Sequence, residues 1–306
     1  HTLTYGALYR VAQQIAHWLR QELAPASHVV LLFDCGLEFI QFYFGVLLAG
    51  MIPVPLPPHP KRSRAVIEHA MERRHACAIV CGGLSLRRGM HFLRQALPNT
   101  RVLTVAEFAL NATAPDVQGE DVAPRDVCQT AYIQYSSGTT STPKAIQVSH
   151  ANVLHNIGMI ERAFGLDRTD VGVIWLPHYH DMGLVGGLLA PLVVGFPVYV
   201  MKPALFAADP LRWLRAISLF RATVSGGPDT AYQACVRLGD ATQHAQLMLS
   251  QWRVAFTGAE PVKATTLRAF SAQYRECGFQ EASFLSCYGL AEATLMVTAS
   301  PPGKSP

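Results

Sequence analysis

Short apolar runs with β character alternate with amphipathic helical stretches along nearly the whole chain, and this alternation limits the fold more than any other feature. A stripe of Leu8, Val11, Ile15, Trp18 and Leu19 predicts a helix over 5–23. A strand at 28–33 follows, then an apolar helix over 37–48 that Gly50 ends. Residues 52–58 (IPVPLPP) are extended, because prolines at that density exclude a helix. The alternation continues with helices at 65–74 and 84–96 and strands at 77–81 and 101–105. Residues 111–127 lack periodicity, are rich in Pro, Asp, Glu and Gln, and read as a linker or long surface loop. Beyond it, helices at 151–164, 210–220, 229–237 and 262–276 alternate with strands at 131–135, 171–176, 222–225, 252–256 and 284–287. Uniformly apolar strands separated by helices predict parallel sheets covered on both faces, an α/β fold. The linker divides it into subdomains 1–127 and 128–306.

Bulk properties narrow the class. Half of the 306 residues are hydrophobic and 15% are charged, a globular composition with large buried surfaces. The formal charge of +4 is mild, and pairs such as Arg73-Arg74 and Arg87-Arg88 carry no interleaved aromatics, so no nucleic-acid partner is expected. Seven scattered cysteines without a C-x-x-C pair suggest buried free thiols in a reducing compartment, the cytoplasm, rather than a disulfide frame or a zinc site. The uncharged run 182–201 is long enough to span a bilayer. Its four Gly and two Pro, and its switch to Val-Tyr-Val, instead predict a buried helix followed by a buried strand, with no transmembrane segment. The chain opens on His1, enters helical periodicity almost at once, and reads as a fragment of a longer polypeptide.

Between the strand at 131–135 and the helix at 151–164 lies YSSGTTSTPK (135–144). A row of Ser and Thr around one Gly offers hydroxyl and backbone N–H donors to a polyphosphate, and Lys144 adds a compact positive charge. It is not the P-loop of NTPases: Pro143 stands where the second Gly belongs, and Ala145 where Ser or Thr would meet magnesium. Taken alone, it is equally a polar surface turn. Four further loops follow strands in this half, at 177–183, 225–229, 257–261 and 288–292. Ligands of open α/β sheets gather at the carboxyl ends of strands, where such loops converge.

Taken together these loops resemble the adenylate-forming enzymes: acyl-CoA synthetases, peptide-synthetase adenylation domains and luciferases. SSGTTSTPKA (136–145), GAEP (258–261) and YGLAEAT (288–294) carry the resemblance, in that order. More narrowly, WLPHYHDMGLVGGLLAPL, SGGPDTAYQACV, AFTGAEPV and CYGLAEATLMV are similar to the fatty acyl-AMP ligase branch, over nearly the whole chain. The resemblance implies the large amino-terminal domain of that fold, with the carboxy-terminal domain and its catalytic Lys absent. It implies ATP-dependent conversion of a fatty acid to acyl-adenylate, with ATP and Mg2+ as cofactors. The partner would be an acyl carrier protein thiol, free or in a polyketide or nonribosomal peptide synthase module.

The resemblance also assigns residues. Ser136, Ser137, Gly138, Thr139 and Thr140 would hold the phosphates, and Lys144 would stabilise that loop or the leaving pyrophosphate. Tyr288 and Gly289 on one side and Gly258, Ala259, Glu260 and Pro261 on the other would flank the adenine; Glu292 would bind magnesium. His180 would sit near the reacting carboxylate, and Met182, Leu184, Gly226, Gly227, Pro228 and Tyr232 would form acyl-tunnel wall or plain core. Three alternatives stay open: an acyl-CoA synthetase, an amino-acid adenylation domain in which Asp181 meets the substrate amine, and a non-catalytic acyl- or nucleotide-binding module. Ala145 departs from the Gly usual after the loop Lys, and the 306-residue chain is expected to adenylate poorly on its own.

Overall fold

The alternation read from the sequence becomes two α/β units in the computed structural model, His1–Ala151 and Asn152–Pro306. The structure describes residues 1–58, 64–72, 78–82, 93–95, 97–98, 100–111, 126–136, 143–239 and 246–303.

The first unit carries a four-stranded parallel sheet in the order β2-β1-β3-β4, formed by β1 (His28–Leu32), β2 (Ile52–Leu56), β3 (Ala78–Cys81) and β4 (Arg101–Thr104). β2 is IPVPL and, among the described residues, pairs with β1 alone, a position where strand prolines leave the ladder intact. Helix α1 (Tyr5–Glu22) starts at a Thr4 cap, whose hydroxyl accepts from Ala7 N, and packs on α2 (Leu37–Ala49). The helices approach so closely that a Cβ on Gly45 would stand 2.3 Å from Ile15 Cγ2. α3 (Arg64–Glu72) and α4 (Val105–Asn111) follow β2 and β4; α4 was not expected, and most of the expected helix 84–96 and linker 111–127 lie outside the described residues.

β5 (Thr130–Ser136) and β6 (Lys144–Ser149) pair antiparallel, and β6 too was absent from the sequence reading. They belong to the first unit, so the division falls after residue 151 rather than after 127. The reason is packing: Ile133 is buried in the cluster of Val30, Leu32, Val54, Leu56 and Ile79, and Tyr135 packs against it.

The second unit is a six-stranded sheet in the order β12-β11-β10-β9-β7-β8. Its strands are β7 (Gly172–Ile174), β8 (Val198–Val200), β9 (Val224–Gly227), β10 (Val254–Thr257), β11 (Phe284–Gly289) and β12 (Met296–Ala299). All neighbours are parallel except β12, which returns antiparallel to β11. Helices α5 (His150–Phe164), α6 (Ala190–Val194), α7 (Pro203–Ala208), α8 (Leu211–Phe220), α9 (Asp229–Leu238) and α10 (Ala264–Tyr274) complete the alternation.

Side chains alternate across a sheet with a period of two. On one face Ser225 takes a hydrogen bond from Trp213 Nε1 at 2.8 Å, and Phe284 joins Trp213, Tyr232, Trp252, Phe270 and Phe279 in an aromatic core. Each such ring contributes about 1.5–3 kcal/mol by leaving water. The other face presents Gly172, Ile174, Val224, Phe256 and Cys287. The uncharged stretch covers that face as a π-helix, Met182–Leu189, which runs into α6. The segment is a buried helix, as read, and then a strand that is partly exposed rather than buried, with Tyr199 at 42% exposure; no helix among the described residues is long and apolar enough to cross a membrane.

Candidate active site at the carboxyl ends of the second sheet

Because β7, β9, β10 and β11 run parallel, the loops after them meet at one end of the sheet. Glycines let two of these loops close up. A Cβ on Gly258 would stand 2.7 Å from the Cys287 carbonyl oxygen, and one on Gly289 would stand 2.0 Å from the Leu295 carbonyl oxygen. Ala259 (φ +68°) and Thr294 (φ +75°) are non-glycine residues with positive φ, a conformation held only where the surroundings enforce it.

Two carboxylates staple the loops after β9 and β10. Glu260 accepts from Thr230 N at 2.6 Å, at the start of α9. The buried Asp229 accepts from Lys263 N at 3.0 Å and from the Thr266 hydroxyl at 3.0 Å. The Glu260 carboxylate is therefore engaged in holding the loop. The hairpin after β11 is held by Asn156 of α5, which is 4% exposed. Its amide donates to Met296 O at 2.8 Å and Ala293 O at 3.3 Å and accepts from Met296 N at 3.0 Å. A short 3₁₀ turn, Ala291–Ala293, which ends at the first of these anchors, presents Glu292 to solvent.

Beneath these loops the second unit contains an apolar cavity of about 820 Å³, its open mouth included. Gly258, Ala259, Tyr288, Gly289 and Asp181 line it at the carboxyl ends of the strands, and Tyr288 is 61% exposed there. Met182, Gly186, Gly187 and Pro191 form the helical wall. At the other end are Gly172, Val198 and Val224, which share one row of the sheet register, with Phe164, Leu166 and Phe196. The ring of Phe164 lies nearly parallel to that of Phe256 at 6.0 Å. Among the described residues, Asp181 is the one charged side chain in the lining.

Electrostatics at the mouth follow from burial. His178 is 1% exposed, and burial lowers its pKa to about 3, with the neighbouring His180 adding to the effect, so its ring is neutral at pH 7. His180 keeps an exposed edge, yet the protein around it lowers its pKa, opposed by the charge of Asp181. Asp181 accepts from Met182 N at 2.7 Å. Burial raises its pKa, and the nearby negative charge of Glu292 acts in the same direction, while the Met182 bond and His180 oppose them. Burial also pushes the Cys287 thiol up to about 12, so it lines the cavity as a neutral apolar group.

The expected site residues thus divide. Gly258, Ala259, Tyr288, Gly289 and Met182 come together around the cavity. Ser136 ends β5 and pairs with Lys144, the exposed first residue of β6, in the first unit, while Ser137, Gly138, Thr139 and Thr140 lie outside the described residues. Pro261 is exposed in the stapled loop. Of the positions expected as acyl-tunnel wall or plain core, five fall outside the lining of this cavity. Tyr232 is fully buried in the aromatic core, its hydroxyl donating to Phe256 O at 2.9 Å. Gly226 makes room for Phe256 and Gly227 for Trp175, where a Cβ would fall 2.1 Å and 2.8 Å from neighbouring atoms. Pro228 begins α9, and none of the four lines the cavity, nor does the fully buried Leu184. Asn156, Gly186 and Leu295 were not singled out in the sequence. For Asn156 a signal existed, an amide on the buried helical stripe of Val153, Ile157 and Ile160.

A parallel α/β sheet with an apolar cavity reaching the loops at its strand ends defines a ligand-binding α/β domain. The chain belongs to the AMP-binding enzyme family, whose model matches residues 1–306. It is 36% identical over 99% of its length to the medium-chain-fatty-acid–(acyl-carrier-protein) ligase JamA of Moorena producens (strain JHB), covering 52% of that protein. It is 32% identical, over 99% of its length and 49% of the relative's, to the long-chain-fatty-acid–AMP ligase FadD32 of Mycolicibacterium smegmatis. Among solved structures it resembles a fatty acyl-adenylate ligase from Legionella pneumophila in complex with acyl adenylate and pyrophosphate. The TM-score there is 0.88 at 35% identity, covering all of this chain and 53% of that one. The chain spans about half the length of the curated relatives it matches.

Proposed function

We propose that the protein carrying this chain joins a fatty acid carboxylate to the α-phosphate of ATP, releasing pyrophosphate and leaving an acyl-adenylate for an acyl carrier protein thiol. One observation carries the reading: an apolar cavity whose wall, among the described residues, holds a single charged side chain reaches the loops that bear GAEP and YGLAEAT. Such a cavity accepts a hydrocarbon chain and leaves its carboxylate at the polar mouth. From the floor row at Val254 to Gly258 the strand advances roughly 13 Å, at about 3.3 Å per residue, which suits an acyl chain of medium length.

The chemistry brings one anion to another, so positioning and charge neutralisation dominate. The exposed Tyr288 ring offers a stacking face for adenine across from Gly258 and Ala259. The His180 imidazole, its pKa lowered, stands beside Asp181 as a neutral hydrogen-bonding partner for the substrate carboxylate. Lys144 and the hydroxyl-rich loop hold the triphosphate. Magnesium suits Glu292: among the described residues no group of three or more His, Cys, Asp or Glu forms a protein-only cage. A lone exposed carboxylate fits an ion that keeps its waters and takes phosphate oxygens. When bound, the ion neutralises phosphate charge. The six described cysteines are free thiols, in keeping with a cytoplasmic setting.

The test is fatty-acid-dependent exchange of labelled pyrophosphate into ATP by the complete natural protein, followed by transfer to a phosphopantetheinylated carrier protein or to coenzyme A. Exchange with fatty acids, its loss in Glu292→Gln, and preference for the carrier are expected. Exchange with amino acids alone would replace the reading by one in which Asp181 meets an amine; preference for coenzyme A would make it an acyl-CoA synthetase.

A further inference from the structure

Three glycines in the π-helix differ in what their missing side chains permit. A Cβ on Gly183 would stand 2.1 Å from the Pro177 carbonyl oxygen, and one on Gly187 would stand 2.6 Å from Ile174 Cγ1. Packing against the strand and its loop demands glycine at both. At Gly186 the nearest atom is Leu295 Cδ2, at 3.2 Å, the far end of a flexible side chain. A Cβ at 186 is therefore tight, and fits only where the Leu295 side chain yields by a few tenths of an ångström. A helical glycine loses about 1 kcal/mol relative to alanine, so its presence there calls for another reason. Gly186 and Leu295 both line the cavity, one on the helix and one on the hairpin.

Their level along the cavity follows from the sheet register. The floor row holds Gly172, Val198 and Val224. Gly187 packs on Ile174, two residues above Gly172, while Asp181, Gly258 and Tyr288 mark the mouth. Gly186 lies one residue closer than Gly187 to Asp181 at the mouth, and the Leu295 backbone abuts Gly289, so the Gly186–Leu295 pair falls just inside the mouth, above the aromatic floor. The π-helical turn brings it there: Met182, Gly186, Gly187 and Pro191 recur at intervals of four and five residues, as an i→i+5 turn requires.

We infer that Gly186 and Leu295 form the waist of the acyl cavity and that the bulk at these two positions sets the longest chain admitted to the floor. The inference rests on the acyl-adenylate reading and adds its chain-length determinant. Pyrophosphate exchange is measured on the complete protein with the saturated acids from butanoic to hexadecanoic, comparing wild type, Gly186→Leu, Leu295→Phe, and Gly186→Ala with Leu295→Ala. Gly186→Leu should lower kcat/KM for the longer acids at least about tenfold relative to the shortest, the scale of a few misplaced methylenes. Leu295→Phe, which leaves the helix untouched, should shift the profile the same way, and the double alanine variant should restore the longer acids. An unchanged length profile in both single variants, or an equal loss at every length, would overturn the waist. Wild-type protein that exchanges with no fatty acid would overturn the acyl-adenylate reading itself and the waist with it.

Discussion

Asn156 ties the Glu292 turn to α5, and its removal should be felt both in stability and in activity. The side chain makes three hydrogen bonds, two donated to Met296 O and Ala293 O and one accepted from Met296 N, at a position 4% exposed. A typical hydrogen bond contributes about 1 kcal/mol net, but a buried group left without a partner costs about 1–3 kcal/mol. Asn156→Ala orphans the buried Met296 N–H and weakens two carbonyl sites, so the expected loss is about 3 kcal/mol. Urea unfolding of the complete protein reports this as a lower midpoint at an unchanged slope. The hairpin is released at the same time, and pyrophosphate exchange should fall at least about tenfold, as a misplaced charge contact does. Asn156→Asp sharpens the test. It keeps the acceptor for Met296 N but sets a carboxylate against two carbonyl oxygens, and should be at least as damaging as alanine. A change below about 0.5 kcal/mol in Asn156→Ala, or full tolerance of Asp, would refute the anchoring role.

His178 makes stability depend on pH with a definite sign. Its folded pKa of about 3 lies below the ordinary 6.5, so between those values the unfolded chain binds the proton. Stability is therefore full above about pH 6.5 and falls as pH drops, by about 2 kcal/mol at pH 5. Denaturant midpoints at pH 7 and pH 5 check this, and His178→Gln should flatten the dependence. Gly289→Ala should be far more damaging than alanine at an ordinary strand glycine, because its Cβ would stand 2.0 Å from the Leu295 carbonyl oxygen, a backbone atom that cannot rotate away. A loss of about 1–3 kcal/mol, with pyrophosphate exchange reduced together with it, is expected in thermal melts; a neutral substitution would show that the hairpin opens freely.

The local order of the chain was legible in its residues. The stripe of Leu8, Ile15, Trp18 and Leu19 marks α1, and apolar runs such as VVLL mark strands buried on both faces. Prolines made IPVPL extended rather than helical, and the motifs GAEP and YGLAEAT marked two loops that border the cavity. These follow from near-neighbour physics: periodicity, capping, and the conformational limits of Gly and Pro. What depends on residues far apart in the chain was out of reach. β6 and β12 form because β5 and β11 offer antiparallel partners, which no local pattern announced. SGGPDTAY suggested tunnel wall or plain core, and the tertiary packing decided for core, placing Tyr232 among the aromatics and fitting Gly226 and Gly227 against Phe256 and Trp175. The tertiary structure alone opened the cavity to Gly186 and Leu295 and made Asn156 an anchor 140 residues away from Met296. Sequence thus decided most of the helices, the parallel strands and the loops between them, since those choices are settled within a few residues. The direction in which each side chain faces was decided by the pairing of distant strands, because one register step exchanges the two faces of a sheet.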